Sequence, residues 1–381
     1  MRKIILALYS LLLFFTAVFS YAFIDSNLIY LKGLFTDFAF VHRQITTVIY
    51  ISVIFLFFIF YFLFLSLVRE GKLNQKQFKF IIIITSGILL FSYPAMLSYD
   101  IFNYIATAKV TFFHHENPYL IMPIEFIGDP LLLFTHAANK IALYGPIWII
   151  LSAIPYLLSF GKFVLILLNF KLFILGFYLA TIALIWKISR NLLSVALFAL
   201  NPLIIIETLV SGHNDIAMMF LALLAFYFLI KKKLFSSFIF LVLSIFIKYS
   251  TLFLVPVFAY TLFKAWRKEA LNWNKIFYLS SLSMFTIFLL SPIREEIYSW
   301  YAIWFLTFIA LMPQKKIIFY FSFSLSFGLL LRYIPYMLMG TYFDPTPILK
   351  TILTFAPSFF LLIYLFLTQR KSLFRDLFVI N

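Results

Sequence analysis

Long apolar runs, separated by short polar segments, follow one another along almost the whole chain. Many of these runs are about 18–25 residues long, the length that a helix needs to cross the hydrocarbon core of a bilayer. One long polar segment, residues 98–140, interrupts the series after the third run. The pattern predicts membrane helices near residues 4–24, 45–68, 80–97, 141–160, 163–186, 192–210, 215–230, 234–248, 251–263, 275–292, 299–312, 317–338 and 347–367.

The composition agrees with this pattern, because 64% of the residues are hydrophobic and only 12% are charged. A soluble domain has about a quarter charged residues, so this chain cannot cover a water-facing surface. We therefore predict an all-α fold, a polytopic transmembrane helical bundle with about 12 crossings. Residues 1–381 are expected to form a single membrane domain: residues 1–97 hold the first three spans, residues 98–140 a loop, and residues 141–381 the remaining spans. The first run resembles a signal peptide, but we expect an uncleaved helix.

The net charge of +16 is a signal of topology. A single arrangement, with both termini cytoplasmic and residues 98–140 extracytoplasmic, places every basic cluster in the cytoplasm and most acids on the other side. We therefore predict an integral protein of the plasma membrane and no nucleic-acid partner. The chain has no cysteine, which excludes disulfides, Cys-ligated zinc and thiol nucleophiles. The basic clusters are Arg69/Lys72/Lys76/Lys79, Lys187/Arg190, Lys231/Lys232/Lys233, Lys264/Arg267/Lys268, Lys315/Lys316 and Arg370/Lys371/Arg375.

Two regions fit this topology imperfectly. Residues 141–186 contain two apolar runs but must make one net crossing, so either the run 141–160 or the run 163–186 is re-entrant or lies in the interface. The sequence leaves open which of the two fully spans. The runs 234–248 and 251–263 are short, which is compatible with a helical hairpin that does not fully cross.

The polar segment begins with Ser98-Tyr99-Asp100, directly after the third run. An acid at this boundary can face the membrane surface, where the head group of a lipid-linked substrate lies. Its carboxylate can then take a proton from an attacking hydroxyl, as a general base does. The alternative is an interfacial aspartate that caps a helix over residues 101–110.

Further along this segment, Asn117 and Tyr119 flank a proline, and Tyr144 precedes a Gly-Pro pair. Taken alone, these are the signals of a turn and of a helix start. The His-His-Glu sequence at residues 114–116 suggests a metal site, but adjacent residues on a helix point apart. We therefore interpret residues 114–116 as solvated loop residues and predict no metal site.

A second group of polar residues, Glu207, His213, Asn214 and Asp215, lies at one end of two adjoining apolar runs. Ionisable groups at membrane depth are costly and mark functional sites by default. A turn that joins two helices explains the asparagine and its neighbouring glycine. It does not explain three ionisable side chains within nine residues, so we predict a functional role for this group.

Two cations and two aromatic residues complete the set of candidates. Lys248 lies in an apolar stretch near the predicted outer face, where it can hold a phosphate, as can Arg294. The alternative for Lys248 is a side chain that extends along the apolar surface to reach the interface. Trp300 and Tyr301 can stack against a sugar, or they can form an ordinary interfacial aromatic pair.

Taken in this order, these pieces resemble the GT-C superfamily of membrane glycosyltransferases, which use polyprenyl-phosphate sugars on the outer side of the membrane. The sequence is most similar to the polyprenol-phosphate-mannose-dependent mannosyltransferases of the bacterial α-(1→6) type. No single piece is specific; the ordered set with its loop placement carries the resemblance, which covers residues 80–310. The matching pieces are Ser98-Tyr99-Asp100 with Tyr104, Asn117-Pro118-Tyr119, Tyr144-Gly145-Pro146, Asn201-Pro202-Leu203, Gly212-His213-Asn214-Asp215, Lys248 and Trp300-Tyr301.

The resemblance implies a GT-C-like bundle with a large first extracytoplasmic loop after the third span. Asp100 would be the catalytic base of an inverting sugar transfer, with mannose as the sugar, a polyprenyl phosphate as the leaving group and a lipid or glycan as the acceptor. No nucleotide is required, and a divalent cation is left open because the Asp100 motif holds only one acid. The residues expected to bind donor or acceptor are Tyr104, Asn117, Tyr119, Tyr144, Glu207, His213, Asn214, Asp215, Lys248, Arg294, Trp300 and Tyr301.

Two other functions remain as alternatives. A secondary transporter or lipid flippase predicts internal repeats and charges at the middle of the membrane in matched halves, and the sequence shows neither. A non-catalytic subunit of an envelope-polysaccharide assembly predicts that Asp100 is replaceable. The glycosyltransferase hypothesis requires Asp100 and residues 213–215 to lie on the same side of the membrane.

Overall fold

The computed structural model describes residues 2–25, 38–133 and 135–378, with side chains in the last helix as far as Thr368. The basic cluster at residues 370–375 therefore lies outside the described side chains. Helices account for 76% of the structure, and the described residues contain no strand. The predicted all-α fold is confirmed.

Seventeen α-helices follow one another along the described chain. The first nine are α1 Arg2–Ser20, α2 Phe38–Val41, α3 Arg43–Arg69, α4 Gln75–Leu90, α5 Asp100–Phe112, α6 Pro146–Leu157, α7 Phe163–Ser189, α8 Leu192–Ala199 and α9 Pro202–Ile205. The others are α10 Asp215–Ile230, α11 Leu234–Ile245, α12 Val255–Trp266, α13 Trp273–Leu290, α14 Ala302–Ile309, α15 Lys316–Leu331, α16 Ile334–Met339 and α17 Thr346–Phe378. Short 3₁₀ segments at Tyr21–Phe23, Pro94–Met96, Pro123–Glu125, Pro130–Leu133, Tyr249–Leu254, Ser291–Ile293 and Ser299–Tyr301 and a π-helical segment at Ile206–Val210 connect them.

Six helical segments of the described chain are long and apolar enough to cross a membrane, or seven if a bent pair counts as one span. They agree closely with six of the predicted runs, and the protein is an integral membrane protein. The predicted number of about 12 crossings is not confirmed, because several of the other runs form helices of only 12 to 16 residues. The six are Lys3–Phe23, Arg43–Arg69, Phe163–Ser189, Trp273–Ile293, Lys316–Met339 and Thr346–Thr368.

The two apolar runs of residues 141–186 differ in helix length. Helix α7 has 27 residues and is long enough to span, whereas α6 has 12 and is about 18 Å long. By length, α7 is able to make the net crossing, whereas α6 is too short to span the bilayer.

The third predicted run, residues 80–97, begins and ends earlier than expected. Helix α4 starts at Gln75, where Asn74 and Gln77 form a reciprocal capping box, and ends at Leu90. Pro94 lacks an amide hydrogen, and in a continued helix its ring would clash with the carbonyl of Leu90, which favours the end of the helix there. The chain then turns through a 3₁₀ segment and reaches the start of α5.

A bent span brings polar groups into the middle of the bundle. Helix α8 and the segment from Pro202 to Val210 meet at an angle of 57°. At the bend, the side chain of Asn201 accepts a hydrogen bond from the amide of Leu203, and Pro202 occupies the first helical position. The predicted motif around Asn201 and Pro202 is therefore a helix restart.

Helix α10 lies at the centre of the bundle, packed against α7, α11 and α14. Almost every residue from Val195 to Met219 is buried. The outer helices instead expose large apolar side chains, among them Leu11, Ile83 and Phe360, each more than 60% exposed. A soluble protein rarely leaves such surface in water, so these faces are suited to lipid.

Candidate active site

Three segments meet at one end of the bundle and bring the candidate residues together. They are the start of α5, the turn of residues 211–214 between the bent span and α10, and the 3₁₀ segment Ser299–Tyr301. Asp100 comes from the first segment, His213 from the second and Trp300 from the third. Asp100 and residues 213–215 therefore lie at the same end, as the glycosyltransferase hypothesis requires.

Asp100 is the first residue of α5, and its carboxylate faces His213. The capping position belongs to Tyr99, which makes no side-chain cap, and the amide of Asp100 donates to the Ser98 hydroxyl. The Oδ2 atom of Asp100 lies 3.5 Å from Nδ1 of His213, and 23% of the side chain is exposed. The alternative of a helix-capping aspartate therefore does not describe this side chain.

His213 lies between two carboxylates and is completely buried. Its Nδ1 faces Asp100, and its Nε2 lies 3.2 Å from Oε2 of Glu207. Tyr333 donates a hydrogen bond of 2.8 Å to the other oxygen of Glu207. The indole of Trp300 stacks on the imidazole with ring centroids 4.0 Å apart, which fixes the plane of the ring.

The electrostatics of this group follow from its arrangement. Burial opposes the charged form of the imidazole, but the carboxylates of Asp100 and Glu207 outweigh burial and raise the pKa of His213 to about 9. Burial also opposes ionisation of Asp100, but the adjacent His213 and the charge of Lys248 outweigh it, and the pKa of Asp100 is lower than its ordinary value. At neutral pH, an imidazolium therefore stands beside an aspartate carboxylate.

Asp215 and Lys248 form a second, separate pair in the same site. The Nζ atom of Lys248 lies 3.0 and 2.9 Å from the two carboxylate oxygens of Asp215, and Trp304 donates from Nε1 to Asp215 at 2.5 Å. Lys248 also lies 5.2 Å from the ring centroid of Tyr301. The charge of Lys248 within an apolar stretch is therefore balanced by an ion pair with Asp215, which the sequence did not reveal.

The tyrosines of the polar segment hold the walls of the site in place. Tyr104 accepts a hydrogen bond from the amide of Asn214, and its ring packs edge-on against Tyr144. Tyr119 donates to the backbone carbonyl of Tyr144, and Asn117 accepts from the amide of Tyr119 in a tight turn. Residues 117–119 therefore contact the site through Tyr144.

Two positions near the site require glycine: Gly145 for a close approach of two backbones and Gly212 for a left-handed backbone conformation. A Cβ on Gly145 would lie 2.1 Å from the carbonyl oxygen of Phe246, and the Gly145 amide donates to the carbonyl of Ile247. This contact holds the loop of residues 140–145 directly beside Lys248. Gly212 has φ of +75°, which allows the turn that presents His213 to Asp100.

Two cavities flank Asp100, with volumes of about 400 and 510 Å³. The smaller one, here called the tyrosine cavity, is lined on its own side by Arg43, Arg332, Tyr336, Tyr342 and Lys350. The larger one, here called the lysine cavity, is lined on its own side by Lys140, Tyr144, Lys248, Ile287, Arg294 and Tyr301. The wall common to both consists of Asp100, Asn103, His136, Glu296, Tyr298 and Trp300.

The predicted site residues thus divide into two groups. Asp100, Tyr144, Lys248, Arg294, Trp300 and Tyr301 line a cavity. The others lie behind the walls or beside them. The side-chain amide of Asn214 and both ring nitrogens of His213 are buried without a hydrogen-bond partner among the described residues. These others are Tyr104, Asn117, Tyr119, Glu207, His213, Asn214 and Asp215.

Sequence reasoning missed a charged group in the tyrosine cavity. Glu296 accepts from Arg332 and Lys350, each at 2.7 Å, and Tyr336 stacks on Tyr342 with centroids 4.1 Å apart. A signal for Arg332 was present, since it is a charged residue inside the apolar run 317–338. His136, Tyr333 and Trp304 gave no comparable signal.

The described residues contain no group of three or more His, Asp or Glu side chains that could hold a metal ion. The neighbours of Asp100 include a histidine and a lysine, a set that favours an anion more than a cation. The sequence left the use of a divalent cation open, and the structure does not test it.

Comparison with known proteins gives one match. The family model described as "alpha-(1->6)-mannopyranosyltransferase, N-terminal domain" matches residues 6–264. This range includes most of the site: the start of α5, the turn before α10, and Lys248. No curated protein and no solved structure matches the chain.

Proposed function

Because the chain belongs to the alpha-(1->6)-mannopyranosyltransferase family, we propose that it moves mannose from a polyprenyl-phosphate donor to a lipid or glycan acceptor. One observation carries this proposal: Asp100 stands in the wall common to two cavities, where a base can reach an acceptor in one and a donor in the other. The reaction takes place at the extracytoplasmic face of the plasma membrane, both termini are cytoplasmic, and the shorter apolar helices complete the crossings.

The lysine cavity is the better place for the donor. Lys140 and Arg294 line it, and neither has an ion-pair partner among the described residues. Ile287 and Leu290, at the end of the apolar helix α13, form its apolar side. Free cations beside an apolar wall suit a lipid phosphate, whose negative charge grows as it leaves.

The tyrosine cavity is the better place for the acceptor. Arg332 and Lys350 are paired with Glu296, and the guanidinium of Arg43 donates to the backbone carbonyls of Tyr336 and Met337, so this cavity offers less free positive charge to a second phosphate. Aromatic rings and a charged hydrogen-bonding cluster suit a sugar with several hydroxyls. The acceptor hydroxyl then lies beside Asp100.

The transfer is a single displacement with inversion. Asp100 accepts the proton of the acceptor hydroxyl, and the acceptor oxygen forms a bond to the anomeric carbon. The bond from that carbon to the phosphate oxygen breaks, and the electron pair leaves with the polyprenyl phosphate. Inversion follows because the acceptor oxygen attacks the anomeric carbon from the face opposite the departing phosphate.

The first test compares the wild-type protein with the Asp100→Asn variant in membranes supplied with radiolabelled polyprenyl-phosphate mannose and a crude lipid or glycan acceptor. We expect label transfer by the wild type and a loss of about 10²-fold or more in the variant, because general-base catalysis contributes at least that much. The Glu269→Gln variant is the matched control. Glu269 forms exposed ion pairs with Lys264 and Arg267 and lines neither cavity, so this variant should transfer normally.

Two results would overturn parts of the proposal. Undiminished transfer by a correctly folded Asp100→Asn variant would remove Asp100 as the base and favour the non-catalytic subunit. An absence of transfer by the wild type with every lipid-linked sugar offered would favour a transporter.

A further inference from the structure

Glu207 is a fully buried carboxylate that lines neither cavity. The proposed reaction does not use it directly. We propose that Glu207 is a positioning residue that holds His213 as an imidazolium, and that His213 in turn keeps Asp100 oriented and ionised as the base. This inference rests on the proposed function for the role of Asp100, but its first link concerns His213 alone.

The charge of His213 follows from the partners of its two nitrogens. Nδ1 faces a carboxylate oxygen of Asp100 at 3.5 Å, and Nε2 faces one of Glu207 at 3.2 Å. Neither contact has hydrogen-bond geometry, so both are short ion-pair contacts. A carboxylate close to each ring nitrogen favours the form of the imidazole in which both nitrogens carry a hydrogen, which is the cation.

The backbone around Glu207 holds its side chain next to His213. Glu207 lies in the π-helical segment Ile206–Val210, a rare local structure that often occurs at functional sites. The amide of His213 donates to the carbonyl of Glu207 at 3.1 Å, so backbone and side chain join the same two residues. Trp300 stacks on the imidazole of His213 and restricts the tilt of its ring.

The side chains around Asp100, His213 and Glu207 favour a charged imidazole and charged carboxylates. Tyr333 donates to Glu207, which stabilises its carboxylate, and Lys248 adds positive charge near Asp100. A buried carboxylate without an adjacent cation would hold its proton more tightly. The titratable groups around Asp100 and Glu207 are His213, Lys248, Tyr50, Tyr104, Tyr144, Tyr298, Tyr301 and Tyr333.

Replacement of Glu207 by glutamine separates charge from shape. Glutamine keeps the acceptor for Tyr333, but its amide nitrogen is a donor and favours a bare Nε2 on His213. His213 then becomes neutral, and Asp100 loses its adjacent cation. The acidic limb of the pH–rate profile should therefore move up by about one to three pH units.

The experiment measures mannosyl transfer by wild type and Glu207→Gln between pH 5 and 8, with saturating donor and acceptor. The wild-type rate should be nearly flat from pH 5 to 7, whereas the variant should lose activity as the pH falls through this range. The KM for the donor should stay unchanged, because Glu207 does not line the lysine cavity. A variant whose rate falls by the same factor at every pH would overturn the proposal.

Two further measurements keep the test decisive if Glu207→Gln folds poorly or if the transfer assay fails. The Tyr333→Phe variant removes one hydrogen bond to Glu207 and should shift the limb in the same direction by less. The chain has five histidines, so ¹⁵N-histidine spectra can report the state of His213 without any substrate. Both nitrogens should be protonated at pH 7 in the wild type and only one in Glu207→Gln. A neutral His213 in the wild type would overturn the inference even if sugar transfer is confirmed.

Discussion

His213 links the active site to the stability of the whole protein. Its pKa is raised from 6.5 to about 9 in the folded state, so its charged form is favoured by folding. The resulting stabilisation is fully present below the unfolded pKa of about 6.5 and is lost as the pH rises through about 9. We expect the Tm of the detergent-solubilised protein to fall between pH 7 and pH 10.

The His213→Gln variant is the control for this prediction. It keeps a buried polar side chain but cannot titrate, so its Tm should depend less on pH over the same range. Equal pH dependence in the two proteins would assign the loss of stability to other groups.

The sequence singled out Asp100, His213 and Glu207, but neither Tyr333 nor the contacts between these residues. Asp100 stood out because it lies where the polar segment meets an apolar run, and His213 because ionisable residues at membrane depth are rare. The contact between them depends on a π-helical segment and on Gly212, and no periodicity in the sequence predicts either. Tyr333 and Glu207 are 126 residues apart, so only tertiary packing brings them together.

Lys248 shows the limit of reading one residue at a time. The sequence predicted a cation that holds a phosphate, and the structure pairs Lys248 with Asp215. A carboxylate so close to the ammonium group neutralises much of its charge. Arg294, from the same prediction, lines the lysine cavity without such a partner among the described residues, and it is the stronger candidate for the phosphate.

At the scale of elements, the loop of residues 140–145 depends on a close approach of two backbones. An alanine at Gly145 would place its Cβ 2.1 Å from the Phe246 carbonyl, so one of the two segments must move. We expect Gly145→Ala to cost about 1–3 kcal/mol, as overpacking does, and to reduce transfer by displacing Lys248. Thermal unfolding and the transfer assay measure the two effects.

The matched control is Gly176→Ala in helix α7. Gly176 has nothing within 4 Å of a new Cβ and lies in a helix, where alanine is favoured by about 1 kcal/mol. This variant should therefore retain or slightly raise stability and transfer normally. If Gly145→Ala behaves in the same way, the close approach is not needed.

Helix ends were the least predictable feature of the elements. The run 80–97 is apolar throughout, but the helix ends at Leu90 because Pro94 stops it. The start at Gln75 lies outside the apolar run, because the capping box of Asn74 and Gln77 fixes it. Hydrophobicity predicted that a helix exists, and local backbone chemistry set its limits.

At the scale of the whole molecule, the topology can be tested in a natural background without cysteine. Glu116 is exposed in the polar segment, and Lys76 is exposed in a predicted cytoplasmic cluster. We expect a membrane-impermeant maleimide to label Glu116→Cys in intact cells and Lys76→Cys only after the cells are opened. Labelling of Lys76→Cys in intact cells would reverse the topology.

The long spans were predictable, and the crossing number was not. A run of about 20 apolar residues has a single stable form in lipid, a helix that satisfies its own backbone hydrogen bonds. Shorter runs such as the one in α11 can cross partly, return or lie in the interface. Only their packing against α10 and the neighbouring helices decides between these outcomes.

The common wall of the two cavities also limits how this protein can evolve. A substitution at Tyr298 or Trp300 changes both cavities at once, so a gain for one substrate is tied to a change for the other. Donor and acceptor preferences can change independently only through residues that line one cavity alone, such as Arg332 in the tyrosine cavity and Lys140 in the lysine cavity. Among related enzymes, acceptor and donor preferences should diversify at those outer walls while the shared wall stays constant.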